Sequence, residues 1–281
     1  MSDTMRRAMI AVLGSVCVSG LIAVAEADEI TAATAPQVAQ QVEQRDQDPD
    51  KWVFTSPLYL WAPGLSGSVT SHGRTAHFDV GFDQLLDNMD VGFIAYFQLA
   101  KPEYGFYVEP QYDSFVTKGK SDSIKASLET QLAIIEFGGF YRILYTGGDH
   151  PGALYLVGGG RYWYLHNLLR VKDPVAGTQS GGKIDWLIDP IAGLRYTQYF
   201  TQRIHGWVQA DVGGFGLSAQ TSRFSWQIEP LLGIDFTMPV VKFPSTAFGG
   251  WRWLDDQHVQ GSNSYHIMLD GLVVGLNVML F

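Results

Sequence analysis

The 281-residue chain carries 28 acidic and 19 basic residues for a formal net charge of −9, with 17% of residues charged, 46% hydrophobic and 13% aromatic. Few charges among many aromatics exclude a disordered chain, and the acidic balance excludes a nucleic-acid binder, which calls for a basic stripe. A single cysteine excludes a disulfide framework and a cysteine-ligated zinc site.

The first residues read as an export signal. Met5-Arg6-Arg7 supplies a positive start, Ala8 to Ala25 is an uncharged apolar run, and Ala23-Val24-Ala25 or Ala25-Glu26-Ala27 offers small residues for cleavage. An uncleaved membrane anchor is the competing reading of this run, which is short for a span. Cys17 is preceded by Val16 rather than a small residue and lies mid-run, which argues against a lipoprotein cysteine. The assignment is a signal peptide over 1–27 and a polar linker over 28–51, where Ala, Gln, Thr and charge show no apolar periodicity.

From Trp52 onward the sequence alternates with a period of two, the mark of strands with one apolar face. The spacing predicts strands near 52–62, 89–100, 104–117, 126–146, 152–165, 182–200, 203–217, 222–238, 246–256 and 264–281. Over 223–237 the odd positions run Arg223, Ser225, Gln227, Glu229, while the even ones run Phe224, Trp226, Ile228, Pro230. Runs of this length exceed the ~5–6 residues of a soluble sandwich strand and fit a wall that crosses lipid, where only a closed barrel satisfies its backbone without helices. Trp61, Tyr104, Tyr145, Trp163, Tyr164, Tyr199, Trp251, Trp253 and Tyr265 are candidates for interfacial girdles.

The links alternate in length. Short turns are expected at 101–103, 147–151, 201–202 and near Pro239–Pro244, and longer loops at 63–88, 118–125, 166–181 and 257–263, with 218–221 a short exception. The expected fold is an all-β, antiparallel, up-and-down transmembrane barrel of about ten strands (eight to twelve) over 52–281. A further hairpin at 65–71 and 74–81 would make twelve, and 82–88 reads as one or two helical turns.

Three stretches carry a resemblance: Tyr59-Leu60-Trp61-Ala62-Pro63-Gly64-Leu65-Ser66-Gly67 with the following Asp83-Gln84-Leu85-Leu86-Asp87-Asn88, then Asp189-Pro190-Ile191-Ala192-Gly193-Leu194-Arg195-Tyr196, and the terminal Phe281. Together they resemble small bacterial outer-membrane barrels of the OmpA/OmpW-like superfamily, and more closely uncharacterised proteins that open with this Tyr-Leu-Trp-Ala pattern. The resemblance implies a Gram-negative outer-membrane location. It also implies lipid and lipopolysaccharide as surroundings and a barrel-assembly machinery that reads Phe281. It implies no activity and no cofactor.

With apolar faces toward lipid, parity sends Glu109, Asp113, Glu136, Arg142, Arg161, Asp185, Asp189, Arg195, Arg203, Asp211, Arg223, Glu229, Asp235 and Arg252 to the lumen. In a barrel of this size side chains fill much of the interior. Mixed charges then either lace the wall shut through ion pairs or set the selectivity of a narrow porin-like conduit. An alternative is a lipid A-modifying acyl hydrolase or transferase, which needs nucleophile, base and acid within reach. Ser264, His266 and Asp270 share one face of the last strand, but His266 and Asp270 stand ~13–14 Å apart along it, so an acid from a neighbouring strand such as Asp256 is required. His205 with Asp211 meets the same difficulty. The expectation is therefore no catalytic residue and no metal site: His72 and His77 lack a third ligand. Gly158-Gly159-Gly160-Arg161 lacks the Lys-Ser/Thr of a phosphate loop and reads instead as a place of close strand packing. Lys118, Lys120, Lys125, Arg170 and Lys172, expected in outer loops, are candidates for lipopolysaccharide phosphates.

Overall fold

The backbone follows the period-two pattern almost throughout. A computed structural model describes residues 51–71, 74–121, 124–173, 177–238, 244–260 and 263–278. The signal peptide, nearly all of the linker, His72 and Phe281 lie outside these residues. Among the described residues thirteen strands form one sheet: β1 (Val53–Thr55), β2 (Leu58–Ser71), β3 (Arg74–Val80), β4 (Met89–Ile94), β5 (Phe97–Ala100), β6 (Tyr104–Ser121), β7 (Ile124–Thr146), β8 (Gly152–Asp173), β9 (Gly177–Tyr199), β10 (Ile204–Gly213), β11 (Phe224–Thr237), β12 (Pro244–Gln260) and β13 (Asn263–Val278). The helix α1 (Phe82–Asn88) stands between β3 and β4, where helical turns were expected. The order in the sheet is β1-β5-β6-β7-β8-β9-β10-β11-β12-β13-β2-β3, with β4 also on β6.

The expected count of about ten strands is corrected to twelve or thirteen, for three physical reasons. Ser56-Pro57 splits the first run, since proline has no N–H to give a ladder. Its first part, β1, pairs with β5, and its second, β2, pairs with β13, so the run 53–71 touches both ends of the curled sheet. The second run breaks at Ala95-Tyr96 opposite Pro110, which accepts from the Ala95 N–H at 3.0 Å but cannot donate. The hairpin at 65–71 joins the sheet, with β2 and β3 in register from Leu65↔Val80 to Ser71↔Arg74.

Three expected links are also corrected. The described residues of the loops expected at 118–125, 166–181 and 257–263 are strand: β6 to β7 stays in register as far as Ser121↔Ile124, β8 to β9 as far as Asp173↔Gly177, and β12 to β13 as far as Gln260↔Asn263. Strands β7 and β9 reach 23 residues, about twice what lipid requires, so β6–β9 rise as a fin beyond the shorter β10. Strand β10 stops at Gly213 rather than running to 217, because Gly214, Phe215 and Gly216 all take positive φ.

Large apolar side chains such as Phe106, Phe137, Ile188, Leu232 and Leu272 lie exposed on the outer face, while Glu136, Arg161, Asp189, Asp235 and Arg252 are buried inside. The inner face is not polar throughout, however. Trp61, Ile134, Trp163, Leu187, Leu231, Leu254, Leu269 and Val273 pack together there. Trp61 and Trp163, expected in a girdle, are 5% and 6% exposed and belong to this inner cluster.

Candidate functional site

Inward parity on six strands brings one ion-pair network together. Arg161 on β8 donates from Nη2 to Glu136 on β7 at 2.7 Å and to Asp211 on β10 at 2.8 Å. Arg252 on β12 is paired with Glu109 on β6, and its Nη2 stands 3.9 Å from Glu136. Neutral groups complete the bonding. Tyr107 donates to Glu136 at 2.9 Å and Gln209 donates to it at 3.3 Å, while Gln227 accepts from Arg252 at 2.7 Å. The Arg252 guanidinium also lies 4.6 Å from the Trp61 ring centroid. Buried charges tolerate removal from water only when partners satisfy them in this way.

On the side of the long strands this network is roofed. Ile134, Trp163, Leu187 and Leu254 stand two residues beyond Glu136, Arg161, Asp189 and Arg252 on their own strands, and so form the next inward layer. Above them the chain from 214 to 223 takes up the place that β10 vacates. The Ser222 N–H donates to Asp189 at 2.6 Å, the Ser222 hydroxyl donates to Asp256, and the Ile188 N–H donates to the Gln220 carbonyl at 2.9 Å.

On the side of the short turns the interior is open. A cavity of about 350 Å³ is lined by Tyr59, Tyr96, Tyr107, Arg195, His205, Trp207, Glu229 and Phe248 among others. It shares Thr55, Gln98, Arg195, Thr197 and Tyr199 with a second cavity of about 280 Å³ that reaches Lys101, Pro102 and Pro151 at the turns. Arg195 donates to Gln209 at 2.7 Å, to Gln98 at 3.0 Å and to Tyr96 at 3.3 Å, over the rings of Phe140 and Tyr107. Asp235 gathers Thr246 at 2.5 Å, His205 at 3.2 Å and Tyr199 at 3.4 Å.

Of the residues sent to the lumen by parity, Glu109, Glu136, Arg161, Asp189, Asp211, Asp235 and Arg252 are buried, and Arg195 and Glu229 line the cavity. Half-buried Asp113 accepts from Gln111 at 2.7 Å. Arg142 lies over the Tyr145 ring at the mouth, while Asp185 and Arg203 are half-buried. Arg223 is exposed: β11 begins at Phe224, and parity has no meaning outside a strand. Gln209 and Gln227, which bridge the network, stood on the polar face of the sequence pattern but carry no charge to single them out. Tyr107 lies among apolar residues and gave no such signal.

Ser264, His266 and Asp270 share the outer face of β13, and the acid beside His266 is Asp255, 2.5 Å from Nε2, rather than Asp256. Asp256 points inward to Ser222. The Gly158–Gly160 run does permit close packing: a Cβ on Gly159 would fall 2.0 Å from the Phe137 carbonyl oxygen.

No protein-family profile and no curated protein matches the chain. Among solved structures it is similar to the outer membrane protease OmpT of Escherichia coli, at 9% identity over 83% of this chain and 97% of that one, with a TM-score of 0.43. The translocator domain of the autotransporter NalP of Neisseria meningitidis aligns at 14% identity over 89% and 97%, with a TM-score of 0.40. Ail, the attachment invasion locus protein of Yersinia pestis, aligns at 9% identity over 80% and 97%, with a TM-score of 0.33. Likeness at this level bears on neither activity nor ligand.

Proposed function

We propose that this chain is an integral outer-membrane barrel, closed along the run 53–71, whose interior is an occluded, ion-paired core rather than a through-pore. The observation behind it is the inverted polarity of the sheet, with large apolar side chains outside and paired charges buried inside. Water disfavours such an outer face and lipid favours it. The export signal read at 1–27 agrees with this location. Roofing of the Arg161–Glu136–Asp211 network by Trp163, Leu187 and Leu254 supports the closed form over the narrow channel.

Outer-leaflet lipid is the partner this reading implies. The outer face of the fin carries an aromatic row, Tyr112↔Ala133↔Tyr164↔Trp186. Six and eight residues farther along β6 come two basic rows, Lys118↔Ser127↔Arg170 and Lys120↔Lys125↔Lys172. At ~3.4 Å per residue along strands tilted by ~40°, those rows rise ~15–20 Å above the aromatic one. Rows of this composition suit the phosphates of glycolipid headgroups through charge-assisted bonds.

Planar-bilayer recording on the refolded chain tests the closed form, with heat-modifiable gel mobility as proof of folding. The expected record is flat. Discrete steps that change in Glu229→Gln or Asp189→Asn would replace the occluded barrel with a conduit. The alternative with a specific observation behind it is a lipid-facing esterase, since His266 is held by Asp255 with Ser264 two residues away on the same face. An unchanged lipid A acyl pattern in His266→Ala cells removes it.

A further inference from the structure

The turn-side cavity holds a carboxylate that the barrel itself does not use. Glu229 lines it, and among the described residues it makes no hydrogen bond and no ion pair within 4.0 Å, the charges of Arg252 and Arg195 acting on it only from farther off. Its neighbours in the network are taken: Arg252 is held by Glu109 and Gln227, and Arg195 by Gln209, Gln98 and Tyr96. Glu109, Glu136, Asp211 and Glu229 face only Arg161, Arg195 and Arg252, which leaves one carboxylate in excess. Glu229 is half-buried on the cavity wall, and a carboxylate partly withdrawn from water without a close partner favours a cation that completes it.

The walls fit such a cation. Tyr199, His205, Trp207 and Phe248 form a continuous ring-to-ring series with centroid separations of 4.8, 5.4 and 5.5 Å. All four line the cavity, with Tyr59, Tyr96 and Tyr107 completing an aromatic enclosure. In the β10–β11 register Trp207 pairs with Leu231 and Gln209 with Glu229, so Trp207 and Glu229 are diagonal neighbours on the inner face. The Asn277 side-chain oxygen, on the same wall, is buried with no hydrogen-bond partner among the described residues. Aromatic faces attract cations through the ring quadrupole, and a volume of about 350 Å³ is at the small end of ligand sites.

We infer that this cavity binds a small organic cation of the alkylammonium class, entering from the turn side, with Glu229 as its counter-ion and Trp207 as its principal aromatic face. The site rests on the occluded-barrel reading only in being a blind vestibule. Its binding is measured apart from conductance, so either can fail alone.

The test uses the full chain in detergent micelles, with folding checked by heat-modifiable mobility, and titrates it calorimetrically with choline chloride. The uncharged isostere 3,3-dimethylbutan-1-ol serves as the control. Choline is expected to bind saturably and the alcohol at least about tenfold more weakly, because only the cation completes Glu229. Glu229→Gln is expected to bring choline down to the level of the alcohol, and Trp207→Leu to weaken it several-fold. Leu254→Val, on the roofed side, leaves it unchanged. Equal binding of the two probes, no binding of choline, or full affinity in Glu229→Gln overturns the site. If Glu229→Gln does not fold, Trp207→Leu carries the test, since it removes a ring and no charge, and undiminished affinity there overturns the site equally.

Discussion

The two halves of the interior are built on the same strands by the same inward parity, yet one is filled and the other holds cavities. On the long-strand side the inner positions are Ile134, Trp163, Leu187 and Leu254, capped by the buried Ser222. On the turn side they include Thr197 and Thr246, short side chains that line the cavity. Side-chain volume at inward positions, rather than charge, therefore decides where this barrel is solid. Charge decides something else: which strands are tied across the middle.

The largest expected effect comes from cutting that tie. Arg161→Ala leaves Asp211 buried without its cation and Glu136 with only Arg252, 3.9 Å away, which costs about 3–5 kcal/mol for a broken buried pair. Urea unfolding in micelles reads the loss, and a change below about 1 kcal/mol would mean that water enters the network and the roof is not sealed. Next in size is Leu254→Ala, at a fully buried position of the filled half. A loss of about 3 kcal/mol is expected from the cavity it leaves. Thr246→Ala beside the existing cavity has little packing to lose, apart from its bond to Asp235. Equal losses at the two sites would erase the distinction between the halves.

A somewhat smaller effect sharpens the contrast between inside and outside. Leu232 is 52% exposed on the outer face. In a soluble protein Leu232→Arg would be nearly neutral, whereas on a lipid face it costs about 2 kcal/mol. Unfolding in lipid vesicles measures this directly, and a neutral result would remove the membrane from the account.

Much of this contrast is readable from the chain alone. Glu136, Arg161, Asp211 and Arg252 were sent inward because alternation gives each strand two faces, and charges on a lipid face are costly. The same rule has nothing to say about an apolar residue on the inner face, which is why Trp61 and Trp163 read as girdle residues and prove to be core. Nor does it see which neighbour a side chain meets across strands. Asp255 and Asp256 are adjacent in sequence and point to opposite faces, so the partner of His266 depended on a register that no single strand encodes. Strand ends were the least legible feature. The run of Ser, Lys and Thr from 117 to 127 has the composition of a loop, yet its described residues pair with one another and, from Lys125 on, with β8. Glu229 was expected in the lumen, but its lack of a partner follows from where Arg195 and Arg252 find theirs.

The smallest predicted effect separates the fin from the wall beneath it. Lys125 occupies the centre of the register row Lys120↔Lys125↔Lys172, and each such cation near an anionic surface contributes about 1 kcal/mol or less. Added lipopolysaccharide is therefore expected to raise the thermal midpoint of the chain in micelles, and Lys125→Gln to trim that gain without touching the midpoint in plain detergent. Sodium chloride at about 1 M, where charges are screened beyond ~3 Å, should abolish the gain in both proteins. Stabilisation that survives the salt would come from acyl chains on the apolar wall instead, and the basic rows of the fin would then be solvated charge.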